Sequence, residues 1–197
     1  MGAMTDRVWF TADTHLGHRL VSGLRGFESV ADHDDTICHN WSTSVPDDAE
    51  VWVAGDLAFD GWENRLAVFN ELPGRKHLVL GNHDRAHPLN SRAHEYLEKY
   101  RPYFATVQTV AQVSTKGARK VLVSHFPYTG DHGKDRYDEW RLRDTGRPLV
   151  HGHTHSDTKL SWTAAGTLQV NVALEAWELR PVGVSELAEI LREHAPL

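Results

Sequence analysis

Residues 7–18 read Arg7-Val8-Trp9-Phe10-Thr11-Ala12-Asp13-Thr14-His15-Leu16-Gly17-His18, and this stretch decides the fold. A short apolar run that stops at an acid has the length and composition of a buried strand. In α/β sheets, ligands gather beyond the carboxyl ends of strands. Asp13 and His15 follow such an end. Two residues apart on an extended segment, they point to one side and could grip one cation. The arrangement recurs along the chain. Glu50 to Ala54 reads as a strand ending at Gly55-Asp56, and Lys76 to Leu80 as one ending at Gly81-Asn82-His83-Asp84. Arg119 to Val123 ends at Ser124-His125, and Pro148 to Val150 leads into His151-Gly152-His153-Thr154-His155.

Between these runs, residues 29–44, 62–72, 89–100 and 185–194 carry helical spacing, the second closed by Pro73-Gly74 and the third by Pro102. Residues 104–113 and 168–172 read as further strands. Residues 127–147 are polar, Gly-rich and charged, which predicts a long loop or lid with a solvated surface. Strands alternating with helices predict an α/β domain. The later strands lack intervening helices, so the sheet is expected to be mixed.

Each cluster alone has an ordinary reading. Asp13-Thr14-His15 is a loop detail, Gly55-Asp56 a turn or helix cap, Gly81-Asn82-His83-Asp84 a turn, and His125 a structural histidine. Together they supply two Asp, one Asn and four His at strand ends: Asp13, His15, Asp56, Asn82, His125, His153 and His155. The Asp56 carboxylate has two oxygens and could bridge two cations. An Asn side-chain oxygen suits a hard cation. Adjacent residues on an extended chain point apart, so Asn82 and His83 should do different jobs, one on metal and one facing substrate. Asp84 could hold the His83 ring and favour its protonated form. Mixed O and N donors without thiolate point to Mn, with Fe, Zn, Ni or Co as alternatives.

The bulk numbers narrow the class. The chain has 197 residues, which suits a single domain, read here as 4–197 behind an expression scar at Met1-Gly2-Ala3. A formal charge of −6 argues against nonspecific nucleic-acid binding. One cysteine, Cys38, excludes an internal disulfide and a Cys-built metal site and fits a cytoplasmic protein. No stretch reaches the roughly 20 apolar residues of a membrane helix. Nothing in the sequence fixes the oligomeric state.

The order D-x-H, G-D, G-N-H-D, lone His, G-H-x-H resembles the calcineurin-like metallophosphoesterase superfamily, from Asp13 to His155. Thr11-Ala12-Asp13-Thr14-His15-Leu16-Gly17-His18 is similar to its small stand-alone members from bacteria and phages. The resemblance implies a sandwich of two mixed β-sheets flanked by helices. It implies that Asp13, His15 and His155 hold one cation, that Asn82, His125 and His153 hold a second, and that Asp56 bridges them. It makes His83 the general acid, assisted by Asp84. His18 and Arg19 become candidates for substrate contact.

The protein-phosphatase branch carries G-D-x-x-D-R-G, whereas this chain reads Gly55-Asp56-Leu57-Ala58-Phe59-Asp60-Gly61, without the Arg that grips a monoester. The expectation is hydrolysis of small nucleotide-like phosphodiesters, such as 2′,3′-cyclic nucleotides, by a hydroxide bridging the two cations. The alternatives are a phosphomonoesterase, a nuclease on short single strands, or a binding scaffold without catalysis.

Overall fold

The computed structural model describes residues 6–115 and 120–194. The expected scar at Met1–Ala3 and the first residue of the strand expected from Arg119 lie outside the described residues. Among the described residues, ten strands form two five-stranded sheets. The first runs β10 (Val182–Gly183), β1 (Val8–Thr11), β2 (Glu50–Val53), β3 (Arg75–Val79), β4 (Thr106–Gln108). The second runs β5 (Val110–Ser114), β6 (Lys120–Ser124), β7 (Leu149–His151), β9 (Leu168–Asn171), β8 (Leu160–Trp162). β1 to β4 are parallel, as are β6, β7 and β9, while β10, β5 and β8 pair antiparallel. Both sheets are therefore mixed, and the parallel strands of each aim their carboxyl ends at one rim.

The apolar run at β1 is explained by burial on two faces. Val8, Phe10 and Ala12 face a core that also takes Val123, Val150 and Val170 of the second sheet and Leu187 and Leu191 of α6 (Val184–His194). Trp9 faces the other way, into a core built with helices. That second core places Val51, Val53 and Leu78 against α2 (Val30–Ser44), α4 (Val68–Glu71) and α5 (Ala93–Tyr100) through Ile37, Trp41, Phe69 and Tyr100. α2 starts where the Ser29 side chain accepts the Asp32 N–H at 3.0 Å.

Three expectations need correction. Residues 62–72 form α3 (Trp62–Arg65) and α4 rather than one helix, because the chain breaks at Leu66-Ala67. Residues 104–113 form two strands in different sheets, so the chain crosses between the sheets at Thr109. Residues 127–147 are not simply a solvated loop: Asp138–Trp140 is a 3-10 turn, and the Trp140 ring packs against His87 at 5.2 Å. α1 (Arg19–Leu24) and β8 were not anticipated. No helix among the described residues is long and apolar enough to cross a membrane.

Candidate metal centre

The site lies where the carboxyl ends of β1, β2, β3, β6 and β7 meet. Asp13, His15, Asp56, His153 and His155 all have left-handed backbone, with φ of 56°, 46°, 55°, 72° and 47°. Convergence thus comes from a succession of tight reversals and not, as the sequence suggested, from strand alternation. Non-glycine residues in this region carry strain, typically tolerated only where the surroundings enforce it. Here the enforcement is backbone pairing between loops: Asp13 N–H donates to Gly55 C=O at 2.9 Å, and His15 N–H to Asp56 C=O at 3.0 Å. Gly55 and Gly81 pack backbone to backbone, and a Cβ on Gly81 would overlap the Asp56 carboxylate.

The donor atoms fall into two groups. His15 Nε2 lies 3.1 Å from His155 Nε2, and Asp13 Oδ1 is 3.7 Å from the first and 3.9 Å from the second. Asn82 Oδ1 is 2.9 Å from His125 Nε2 and 3.0 Å from His153 Nδ1. Asp56 Oδ2 stands between the groups, 3.7 Å from His15 Nε2 and 3.5 Å from His125 Nε2. Asp13, His15 and His155, and likewise Asp13, Asp56 and His125, each bring donor atoms within 4.8 Å of one another. Asp13 therefore sits near both groups as well.

These atoms fit divalent cations. Asp13 Oδ1 and Asp56 Oδ2 are buried and have no hydrogen-bond partner, although both residues are at most 1 % exposed. Buried carboxylate oxygens are normally paired. Burial, together with the nearby Asp13 and Asp84, pushes the Asp56 carboxyl well above the usual range. At Asp13, burial pushes the same way, but the neighbouring imidazoles of His15, His125 and His155 outweigh it and hold the group low. Burial lowers His15 to about 4 and His125 to about 3, which favours the neutral imidazoles that cations require.

The outer nitrogens of three of the four histidines are fixed by groups that only accept hydrogens, while His15 Nδ1 is buried without a hydrogen-bond partner. His125 Nδ1–H donates to Ala54 C=O at 2.7 Å, His155 Nδ1–H to Glu175 Oε1 at 2.9 Å, and His153 Nε2–H to Asp131 Oδ2 at 3.1 Å. Each leaves its other nitrogen as a lone pair facing the cluster. Burial works to lower His155, but its Glu175 hydrogen bond and the Asp13 and Glu175 charges raise it overall. Arg25, 3 % exposed at the side chain, anchors Glu175 at 2.8 Å and donates to Asp13 C=O at 2.7 Å.

Sequence reasoning missed Arg25 and Glu175, which lie 150 residues apart and belong to no motif. It noticed Asp131 only as a loop charge. That carboxylate is wholly buried, paired with Arg136 at 3.0 Å and Arg141 at 3.5 Å, so the loop is latched onto His153. Equally spaced polar residues in a loop give no sign of which one turns inward.

The remaining site candidates sit around the cluster. The His83 side chain is 43 % exposed, its Nε2 4.0 Å from Asp56 Oδ2. Burial lowers it to about 4, with the His18 charge adding to the effect. Asp84 does not hold the His83 ring. Its carboxylate accepts the N–H groups of Gly81 at 2.7 Å, Asp56 at 3.1 Å and Leu57 at 3.2 Å, joining two ligand loops. The His18 ring lies 5.3 Å from His15 and 4.2 Å from Phe59. Arg19 is exposed at the start of α1, and its side chain makes no hydrogen bond or ion pair among the described residues.

Residues 6–157 match the calcineurin-like phosphoesterase family. The chain is 41% identical to the gene 66 protein of Mycobacterium phage L5 over 180 residues, covering 86% of each. It is 40% identical to the gene 66 protein of phage D29 over 178 residues, covering 86% of this chain and 88% of that one. Among solved structures, AQ665 of Aquifex aeolicus, a protein of unknown function, superposes with a TM-score of 0.67 at 23% identity, covering 93% of this chain and 98% of that one. The phosphopantetheinyl hydrolase PptH of Mycobacterium tuberculosis gives 0.52 at 14% identity, covering 98% and 94%.

Proposed function

Because the chain belongs to the calcineurin-like phosphoesterase family and is a metal-dependent phosphoester hydrolase, we propose that it cleaves small nucleotide-like phosphodiesters, 2′,3′-cyclic nucleotides first among them. In this reading Asp13, His15 and His155 would hold one divalent cation and Asn82, His125 and His153 the other, with Asp56 placed to serve both. Bound there, the cations, taken here as Mn²⁺, supply an activated water and positive charge against the phosphoryl oxygens.

The protein's own residues do the rest. His83 borders Asp56 on the open side and donates a proton to the departing oxygen. Its depressed pKa reflects burial beside other imidazoles. An arriving phosphate anion supplies the opposite charge that favours the protonated ring. Asp84 acts by fixing the Asp56 and Gly81 loops, and Asp131 and Glu175 by orienting His153 and His155.

One observation carries the diester preference. Asp60 occupies the position where the protein-phosphatase branch has Arg, so a carboxylate replaces a cation beside the site. A dianionic monoester is repelled more strongly there than a monoanionic diester. The test is a panel of bis-p-nitrophenyl phosphate, p-nitrophenyl phosphate and 2′,3′-cyclic nucleotides with Mn²⁺. Diesters should be turned over faster at equal concentration. Preference for the monoester overturns the assignment. We also place the activity in the cytoplasm.

A further inference from the structure

Beside His83 and Asn82 opens a cavity of about 380 Å³, lined also by Phe59, Asp60, Arg85 and Asn90. That volume is near the small end of the range for bound small molecules, roughly 300–1,000 Å³. It suits one nucleoside and not a folded protein segment. Phe59 is a large apolar ring left 42% exposed, backed by His18 at 4.2 Å and meeting the His83 ring edge-on at 5.6 Å. Such a ring offers a stacking platform for a flat base.

Two charges in the lining have no ion-pair partner among the described residues. The Arg85 guanidinium is one and the Asp60 carboxylate the other, in contrast to Arg25 and Arg65, which pair with Glu175 and Asp34. Asn90 is occupied in bracing the wall, donating to Asp84 C=O at 3.3 Å and Arg85 C=O at 3.4 Å. The lining therefore combines a π face, a forked donor and a bidentate acceptor.

We propose that this cavity is the leaving-group subsite and that it selects a guanine nucleoside, a reading that rests on the phosphodiesterase assignment above. The base stacks on Phe59. Guanine presents acceptors at O6 and N7, which match an Arg fork, and donors at N1 and N2, which match a carboxylate. Adenine offers an amino donor where guanine offers O6 and lacks the N1–H and N2–H₂ pair. The nucleoside oxygen leaving phosphorus then lies against His83, which returns it a proton.

The test is calorimetric titration of the Mn²⁺-loaded protein with inorganic phosphate, adenosine 3′-monophosphate and guanosine 3′-monophosphate. We expect the guanosine nucleotide to bind about tenfold tighter than the adenosine nucleotide, and the adenosine nucleotide about tenfold tighter than phosphate. Phe59→Leu keeps an apolar side chain at this exposed position without the ring, and should collapse the step between phosphate and nucleotide. Arg85→Gln and Asp60→Asn should each erase the guanine preference while keeping that step. Equal binding of the two nucleotides, or a stacking step that survives Phe59→Leu, overturns the proposal. Hydrolysis of bis-p-nitrophenyl phosphate by the same wild-type preparation separates the two readings. A flat series in active protein overturns the subsite alone, whereas protein that cleaves no ester with any of the divalent metals overturns the underlying assignment as well.

Discussion

Five of the seven candidate donors have a backbone conformation that side-chain-bearing residues avoid, at a cost of order 1–3 kcal/mol each. Donor identity and order were legible in the sequence because short motifs follow apolar runs. What orients the donors was not legible, since Glu175 and Asp131 act across 20 and 22 residues on a histidine each and carry no local signature. Two predictions belong here. Glu175→Gln keeps the volume but weakens the charge that orders His155. Cation affinity should fall about 10–100-fold, read by metal titration. His83→Ala should reduce turnover by roughly 10²–10⁴-fold on nucleoside leaving groups and distinctly less on p-nitrophenyl esters. Equal losses on the two would count against proton donation.

Strand and helix positions were readable wherever both faces of a strand or one stripe of a helix are buried, as in β1 and α2. The reading failed where local pattern is silent on destination. Residues 106–108 and 110–114 share one alternating pattern, yet one segment pairs with β3 and the other with β6. The choice is made by long-range pairing. The helix at 62–72 is interrupted because Ala67, Phe69 and Asn70 donate three residues back, to Asn64, Leu66 and Ala67, instead of four. At this scale Trp41→Ala, which empties a side chain with no exposure, should cost about 3–5 kcal/mol in urea unfolding. Gly81→Ala drives a methyl into the Asp56 carboxylate, and should abolish cation binding while leaving far-UV circular dichroism unchanged.

At the scale of the molecule, Asp13 Oδ1 and Asp56 Oδ2, two buried oxygens without hydrogen-bond partners, would be relieved by cations bound between them. Ligand present at a hundredfold over its dissociation constant stabilises by about 2.7 kcal/mol per site. Chelation should therefore lower the melting temperature by roughly 5–10 °C per site emptied. An unchanged melting curve would show that the cluster binds no cation in the folded state. The crossing at Thr109 has a wider consequence. Asp13, His15, Asp56 and Asn82 precede it, and His125, His153 and His155 follow. A chain still emerging from the ribosome, or severed there, owns no finished coordination shell. On the proposed ligand set, full ion capture would therefore require that both halves have docked.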